Sequence, residues 1–497
     1  MGKMTGRKTM WVLMVLALLG TLQAQNANPK ATDAIKKAEK AMGSVKSIRY
    51  SGTGKWGVVG MNWNPTAPWH STDLTKYTRT IDYVSASSRE EIVRQQENPI
   101  NLGGEAPFSI VVHEGRNVSG KYAWDQPPYA NGPPIPAPDA SRPAPSASNE
   151  RQLQVWLTPH GFLKAAAEHQ ATAETEMQGG QKNTVLKFAI GENKIVGTIN
   201  GQNLVTRVET WLPSPVLGDM PVETTFSDYR DFGGVKFPMH IVQKQGGFDV
   251  LNLMVSSVEP NVANAALKAP EMAINAKVAP PQVGVDKLAD GFWLLRAGHN
   301  SALIEFKDFV AVVEAPNNEA RSLAVIATVK KLVPNKPIKY LINTHHHFDH
   351  SGGIRTYVAE GATVITHEAN RPFYEWAWKQ PRTLEPDRLS QNPREASFIT
   401  YKTKYVLTDG NRSVEIHLTI GDNHDQFLSF LYMPKEKILI EADDWSDWYA
   451  TTVSLPMWNN LYGNMQRLQL DVDTMVPLHG KAATLAEWLK VLRDNTL

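Results

Sequence analysis

The chain has 497 residues, 42% of them apolar, which is enough for roughly three average domains and a sizeable core. Lys and Arg number 51 against 50 Asp and Glu, and the resulting net charge of +1 leaves no basic surplus to hold nucleic acid and no acidic surplus of the kind seen in disordered tails. Zero cysteines against 14 histidines exclude a disulfide framework, a thiolate-ligated metal and a cysteine nucleophile, so any metal must be held by nitrogen and oxygen.

Lys3, Arg7 and Lys8 precede an apolar run from Met10 to Leu19, and Ala24 follows in Leu22-Gln23-Ala24-Gln25. A basic start, an apolar run too short for the ~20 residues that span a bilayer, and a small residue at the cleavage position predict a secretory signal peptide over 1–24. Cleavage there removes three positive charges and no acids, taking the net charge from +1 to −2. With no other run long and apolar enough to cross a membrane, the expected location is periplasmic or secreted.

A β-rich N-terminal domain is expected over 31–270. It opens with an amphipathic helix from Ala31 to Met42. Short β-prone runs follow at Ser47 to Trp56, Phe108 to Val112, Thr184 to Ile190, Lys194 to Ile199, Val205 to Leu212 and Val235 to Gln245, punctuated by Gly179-Gly180, Asn200-Gly201, Gly233-Gly234 and Gly246-Gly247. A further helix is expected within Asn149 to His169. The segment 126–146 holds eight of the 32 prolines and reads as an extended loop. The order of helix, long meander and a closing run from Phe226 through Gly233-Gly234 to Pro238 resembles periplasmic lipoprotein-carrier-like half-barrels. That resemblance implies an apolar concave surface and an apolar ligand.

A stretch with Pro270, Pro280 and Pro281 marks the boundary to a second domain, expected over 283–497. Strands at Phe292 to Arg296, Ala302 to Phe306 and Phe309 to Val313, a helix from Asn318 to Val333 and a strand from Lys339 to Asn343 predict a layered α/β domain. At the end of that last strand stands Thr344-His345-His346-His347-Phe348-Asp349-His350-Ser351-Gly352-Gly353. On a loop at a strand end, His345 and His347 can turn to one metal and Asp349 and His350 to another, and such nitrogen and oxygen donors suit Zn²⁺.

This ordered motif resembles the signature of the metallo-β-lactamase superfamily. The resemblance implies an αββα sandwich, a third histidine for the first metal, a bridging aspartate and a last histidine for the second. His424 in Gly421-Asp422-Asn423-His424 fills the first of these roles. Asp443 in Glu441-Ala442-Asp443-Asp444 fills the second, with Asp444 as the fallback. His479 in Val476-Pro477-Leu478-His479-Gly480 fills the third. One departure is Glu314, which stands where the family usually has an aspartate and reads as a supporting residue. His346 is expected to point away from the ligands and His417 to lie on a strand face. His367, His299, Trp445, Trp448 and Tyr449 are left between pocket-lining and structural roles.

Two Zn²⁺ ions held this way would share a water and lower its pKa toward ~7, and Asp349 could orient it or move its proton. The implied function is an exported zinc-dependent metallohydrolase that cleaves an ester, lactone, thioester or related bond in a small-molecule substrate. The alternatives are a β-lactam hydrolase and, outside enzymes, an apolar-ligand carrier with an accessory metal domain. The missing cysteine removes the thiolate of one β-lactamase type, and only 17 residues follow Gly480, too few for the helical domain usual in thioesterases of the glyoxalase II kind.

Overall fold

The computed structural model describes residues 28–97, 102–104, 111–130, 141–445 and 455–494. The signal-peptide segment 1–24, part of the proline-rich loop, most of Phe108 to Val112, and Trp448 and Tyr449 lie outside the described residues.

The N-terminal half is built on a thirteen-stranded antiparallel sheet. Strand Ser47–Val58 is central, pairing with His70–Asp82 on one side and with Phe248–Pro260 on the other. The chain thus closes its meander beside its first strand. Helix Pro29–Met42, capped by the Asn28 side chain, buries Ala31, Ile35, Ala38 and Met42, a helical face set by their three- and four-residue spacing. The single helix expected over Asn149 to His169 is two, Ser148–Trp156 and Pro159–Glu168. Pro159 lacks the N–H that would continue the first helix and instead begins the second. For a related reason the run Val235 to Gln245 splits at Pro238 into Lys236–Phe237 and His240–Gln245.

A cavity of about 690 Å³ opens on this sheet, and Arg79, Arg94, Arg116, Arg151, Glu90 and Glu114 are among its lining residues. Arg94 Nε lies 2.7 Å from Glu114, Arg116 lies 3.2 Å from the same carboxylate, and Arg79 lies 3.5 Å from Glu90. Trp56, Val58, Met220, Leu251 and Phe348 line it as well, so inward positions of the strands set paired charges beside an apolar wall.

The C-terminal half stacks four layers. A seven-stranded sheet running from Gly284–Ala289 to Phe398–Tyr401 faces a six-stranded sheet running from Lys404–Thr408 to Ala483–Thr484. Phe292, Leu294, Ile304, Ile416, Leu431 and Ile440 fill the space between the sheets. Helices Glu319–Leu332 and Ile354–Glu360 cover the outer face of the first sheet through Val325, Val329, Ile354 and Tyr357. Helices Leu455–Arg467 and Leu485–Asp494 cover the second through Trp458, Leu461 and Trp488. Trp445 belongs to that packing, with its ring 6.2 Å from Trp458 and 6.4 Å from Trp488, and so is a core residue. No helix among the described residues is long and apolar enough to cross a membrane.

The two halves are joined by more than the connecting chain. Asp219 accepts hydrogen bonds from Thr383 and Leu384, and Arg382 donates to the carbonyls of Ser214 and Val216. The loop between Ser47–Val58 and His70–Asp82 reaches across as well. Gln426 N–H donates to the Trp63 carbonyl, and Asn64 Nδ2 donates to Gln426.

Candidate metal centre

Strands Val310–Val313, Ile338–Ile342 and Thr363–His367 run parallel in one sheet, and Ile438–Glu441 and Thr474–Pro477 run parallel in the other. Their C-terminal ends deliver Glu314, the His345 to His350 loop, Asp443 and His479 to one edge of the sandwich. The motif's glycines allow the tight turn into helix Ile354–Glu360: a Cβ on Gly352 would stand 1.9 Å from the Asn317 carbonyl oxygen.

His345, His347 and His424 each offer one ring nitrogen, and these lie within 4.8 Å of one another. A second group of His299, Asp349, His350 and His479 meets the same criterion, as does His345 with His350 and Asp443. Asp443 stands between the two groups: Oδ2 lies 2.9 Å from His350 Nε2 and 3.4 Å from His345 Nε2, and Oδ1 lies 3.1 Å from His479 Nε2 and 3.7 Å from His424 Nε2. All seven residues expected at the site are brought together, and Asp443, not Asp444, faces both groups. Asp444 is fully buried, and burial together with repulsion from Asp422 and Glu441 pushes its carboxyl well above the usual range.

Supporting contacts fix the rings. His345 Nδ1 meets Thr344 Oγ1 at 3.0 Å, leaving Nε2 toward Asp443. His347 Nε2 donates to the Asn62 carbonyl at 2.8 Å, which leaves Nδ1 unprotonated. Glu314, held in the left-handed region at φ +66°, accepts from the Thr344 N–H and lies 3.4 Å from His350 Nδ1, the supporting place its sequence position indicated.

Electrostatics favour a cation here. Burial, then the neighbouring His350 and His347, hold His345 well below the ordinary imidazole value. Burial and His424 bring His347 down to about 3, so both rings are neutral with a free lone pair at pH 7. His350 goes the other way: burial would lower it, but the Asp443 and Asp349 carboxylates raise it well above its ordinary value, a measure of how strongly the pair attracts positive charge. His345 Nε2, His347 Nδ1 and both ring nitrogens of His424 are buried without a hydrogen-bond partner. Buried polar atoms are rarely left so, and four on converging rings fit a metal.

His346 points away as expected, its Nδ1 2.6 Å from Asp425 and its Nε2 2.9 Å from Asn62 Oδ1. His417 stays on its strand, 2.8 Å from Glu415. His367 stacks on Phe427 and meets the Lys402 carbonyl, so it is tied down outside either group. His299 joins the second group, its Nδ1 3.5 Å from Asp349. Asn62 and Asp425 were missed: neither lies in a ligand motif, and the only available signal was that His424 is followed directly by an acid.

Residues 295–443 match the family model described as the metallo-beta-lactamase superfamily. Among solved structures the chain is similar to a metallo-beta-lactamase from Pontibacter korlensis, at 17% identity over 43% of this chain and 100% of that one with a TM-score of 0.34. It is also similar to one from Hirschia baltica, at 19% identity over 43% of this chain and 97% of that one with a TM-score of 0.33. A third is DIM-1 metallo-beta-lactamase, at 18% identity over 44% of this chain and 99% of that one with a TM-score of 0.32. No curated protein matches the chain.

Proposed function

Starting from a C-terminal half that belongs to the metallo-β-lactamase superfamily, we propose that the protein is an exported metallohydrolase with two zinc ions, cleaving an ester, lactone, thioester or related bond of a small molecule. The observation that carries the reading is the convergence of His345, His347 and His424 beside Asp349, His350 and His479, with Asp443 between them. In this reading the first three would hold one ion and the next three the other, with Asp443 set between the two groups. Bound there, the ions would supply Lewis acidity that lowers the pKa of water toward ~7 and draws negative charge off a substrate carbonyl.

The chain's own residues do the rest. Asp349 Oδ2 stands 3.5 Å from His350 and 3.8 Å from His479, and its Oδ1 is buried without a partner, so this carboxylate is placed to orient a water and take its proton. The histidines beside Asp349, led by His350, hold its carboxyl below the usual range despite burial, which keeps it ionised for that role at neutral pH. No serine or other covalent nucleophile is needed. The cavity of the N-terminal sheet mixes charge pairs with apolar side chains, which speaks against a purely apolar ligand there. Export rests on the pattern of residues 1–24.

The test is elemental analysis of purified protein together with turnover of a panel of lactones, thioesters, phosphodiesters and cephalosporins. Near two zinc per chain and metal-dependent hydrolysis are expected. Full turnover after exhaustive chelation would sink the proposal.

A further inference from the structure

The loop between Ser47–Val58 and His70–Asp82 leaves the N-terminal sheet and ends against the histidine motif of the other half. Its entry is tight: Gly60 has φ +78°, and a Cβ there would stand 2.2 Å from the Phe348 ring. Two residues further on, Asn62 is 1% exposed and makes four hydrogen bonds of defined direction. Its Nδ2 donates to the carbonyls of Asn64 and Ala67, at 2.7 and 3.2 Å, which commits both amide hydrogens. Its Oδ1 can then only accept, so His346 Nε2 donates to it at 2.9 Å. Its main-chain carbonyl, which also can only accept, takes the proton of His347 Nε2 at 2.8 Å.

We propose that Asn62 is a positioning residue for the three-histidine metal position, the N-terminal half supplying the acceptor that holds His347 with Nδ1 turned toward His345 and His424. This rests on the metal-binding reading above. A ligating histidine is oriented by whatever its other nitrogen donates to, and here that partner comes from 285 residues away in the chain. The side chain of Asn62 fixes the place of its own carbonyl by gripping the loop on one side and His346, anchored on Asp425, on the other. The N-terminal half also steadies the third histidine, through Trp63 of this loop and through Gly103 of a separate segment that follows strand Ser87–Gln95. Gly103 N–H donates to the Asn423 carbonyl at 2.8 Å and Gln426 N–H donates to the Trp63 carbonyl at 2.7 Å, bracketing His424 from both sides.

The experiment uses the full-length protein as wild type, Asn62→Ala, Asn62→Asp and Asp219→Ala. Each is titrated with zinc against a chromophoric chelator, and with cobalt(II) followed by its ligand-field absorption. Asn62→Ala keeps the main-chain carbonyl but frees it from the side chain's hold, so one of the two zinc affinities is expected to fall by about 10-fold, the lower end of the range for losing such a partner outright, with a shift in the cobalt bands of that position. Asn62→Asp keeps the acceptor facing His346 but sets an oxygen where Nδ2 met the Asn64 and Ala67 carbonyls, so it is expected to lower the same zinc affinity; it carries the test if Asn62→Ala does not fold. Asp219→Ala cuts a different bond between the halves, to Thr383 and Leu384, and is expected to keep both wild-type affinities. Unchanged affinities and cobalt bands in the Asn62 variants would overturn the inference, and so would an equal loss in Asp219→Ala, which would reduce it to a looser interface. A wild-type protein that binds no metal would refute the metallohydrolase reading itself and the inference with it.

Discussion

Around the N-terminal cavity Arg94 lies 2.7 Å from Glu114 and Arg151 lies 2.6 Å from Asp125, while at the sandwich edge His347 Nδ1 and both nitrogens of His424 are buried without a hydrogen-bond partner. Both regions draw ionisable side chains partly or wholly out of water. In the first, each charge named is met by an opposite charge, and the cluster is complete as it stands. In the second, imidazoles crowd against one another and two carboxylates, an arrangement whose desolvation cost a bound cation would offset. Burying charge is thus a structural device in one half and, on the proposed reading, a binding device in the other.

The largest expected effect separates these devices directly. His347→Ala should cut metal-dependent turnover by roughly a thousandfold, the rate equivalent of several kcal/mol of lost Lewis-acid stabilisation, while leaving the far-ultraviolet circular dichroism unchanged. A large loss of helix and strand signal would mean that the histidines hold the fold. In the other half, Arg79→Met leaves Glu90 buried without its cation and should destabilise by about 3 kcal/mol in urea unfolding, with metal content still near two per chain. A change in metal content would break the separation of the two clusters.

A smaller effect is the acid response of the paired cluster. Burial would raise Glu114, but Arg94 and Arg116 hold it below the usual carboxylate range. A depressed folded-state pKa stabilises above the unfolded value near ~4.3 and is lost as pH falls through the folded one. Glu114→Gln should therefore show a shallower fall of unfolding free energy between pH 5 and pH 3 than wild type, and an unchanged slope would deny the pairing its role. The smallest effect is expected at Asp444, which faces away from both histidine groups: Asp444→Asn should keep the wild-type metal content and Asp443→Asn should not.

The histidine cluster was legible because its residues sit in short contiguous motifs, each at a strand end, where backbone direction dictates where side chains meet. The αββα layering was legible from strands and helices alternating after Val283. The charge-lined cavity was not. Arg79 and Glu90 are cross-strand partners on neighbouring strands, and in a half-buried sheet an inward charge has the same alternation as an outward one. Asn62 was hidden for a different reason. It acts largely through a main-chain carbonyl, which no residue type announces, and on a histidine brought near only by the docking of the two halves. Pro159 and Pro238 carried enough information to break the helix and the strand they interrupt, and the broader periodicity around them concealed it.

The loop that runs from Gly60 to Trp69 bears on the protein's history as well as its chemistry. A lineage that exchanged the N-terminal sheet for another, or shed it, would leave His347 without the acceptor for its Nε2 and the His424 segment without its two backbone ties. Whatever replaced that sheet would have to supply the same acceptor and the same ties.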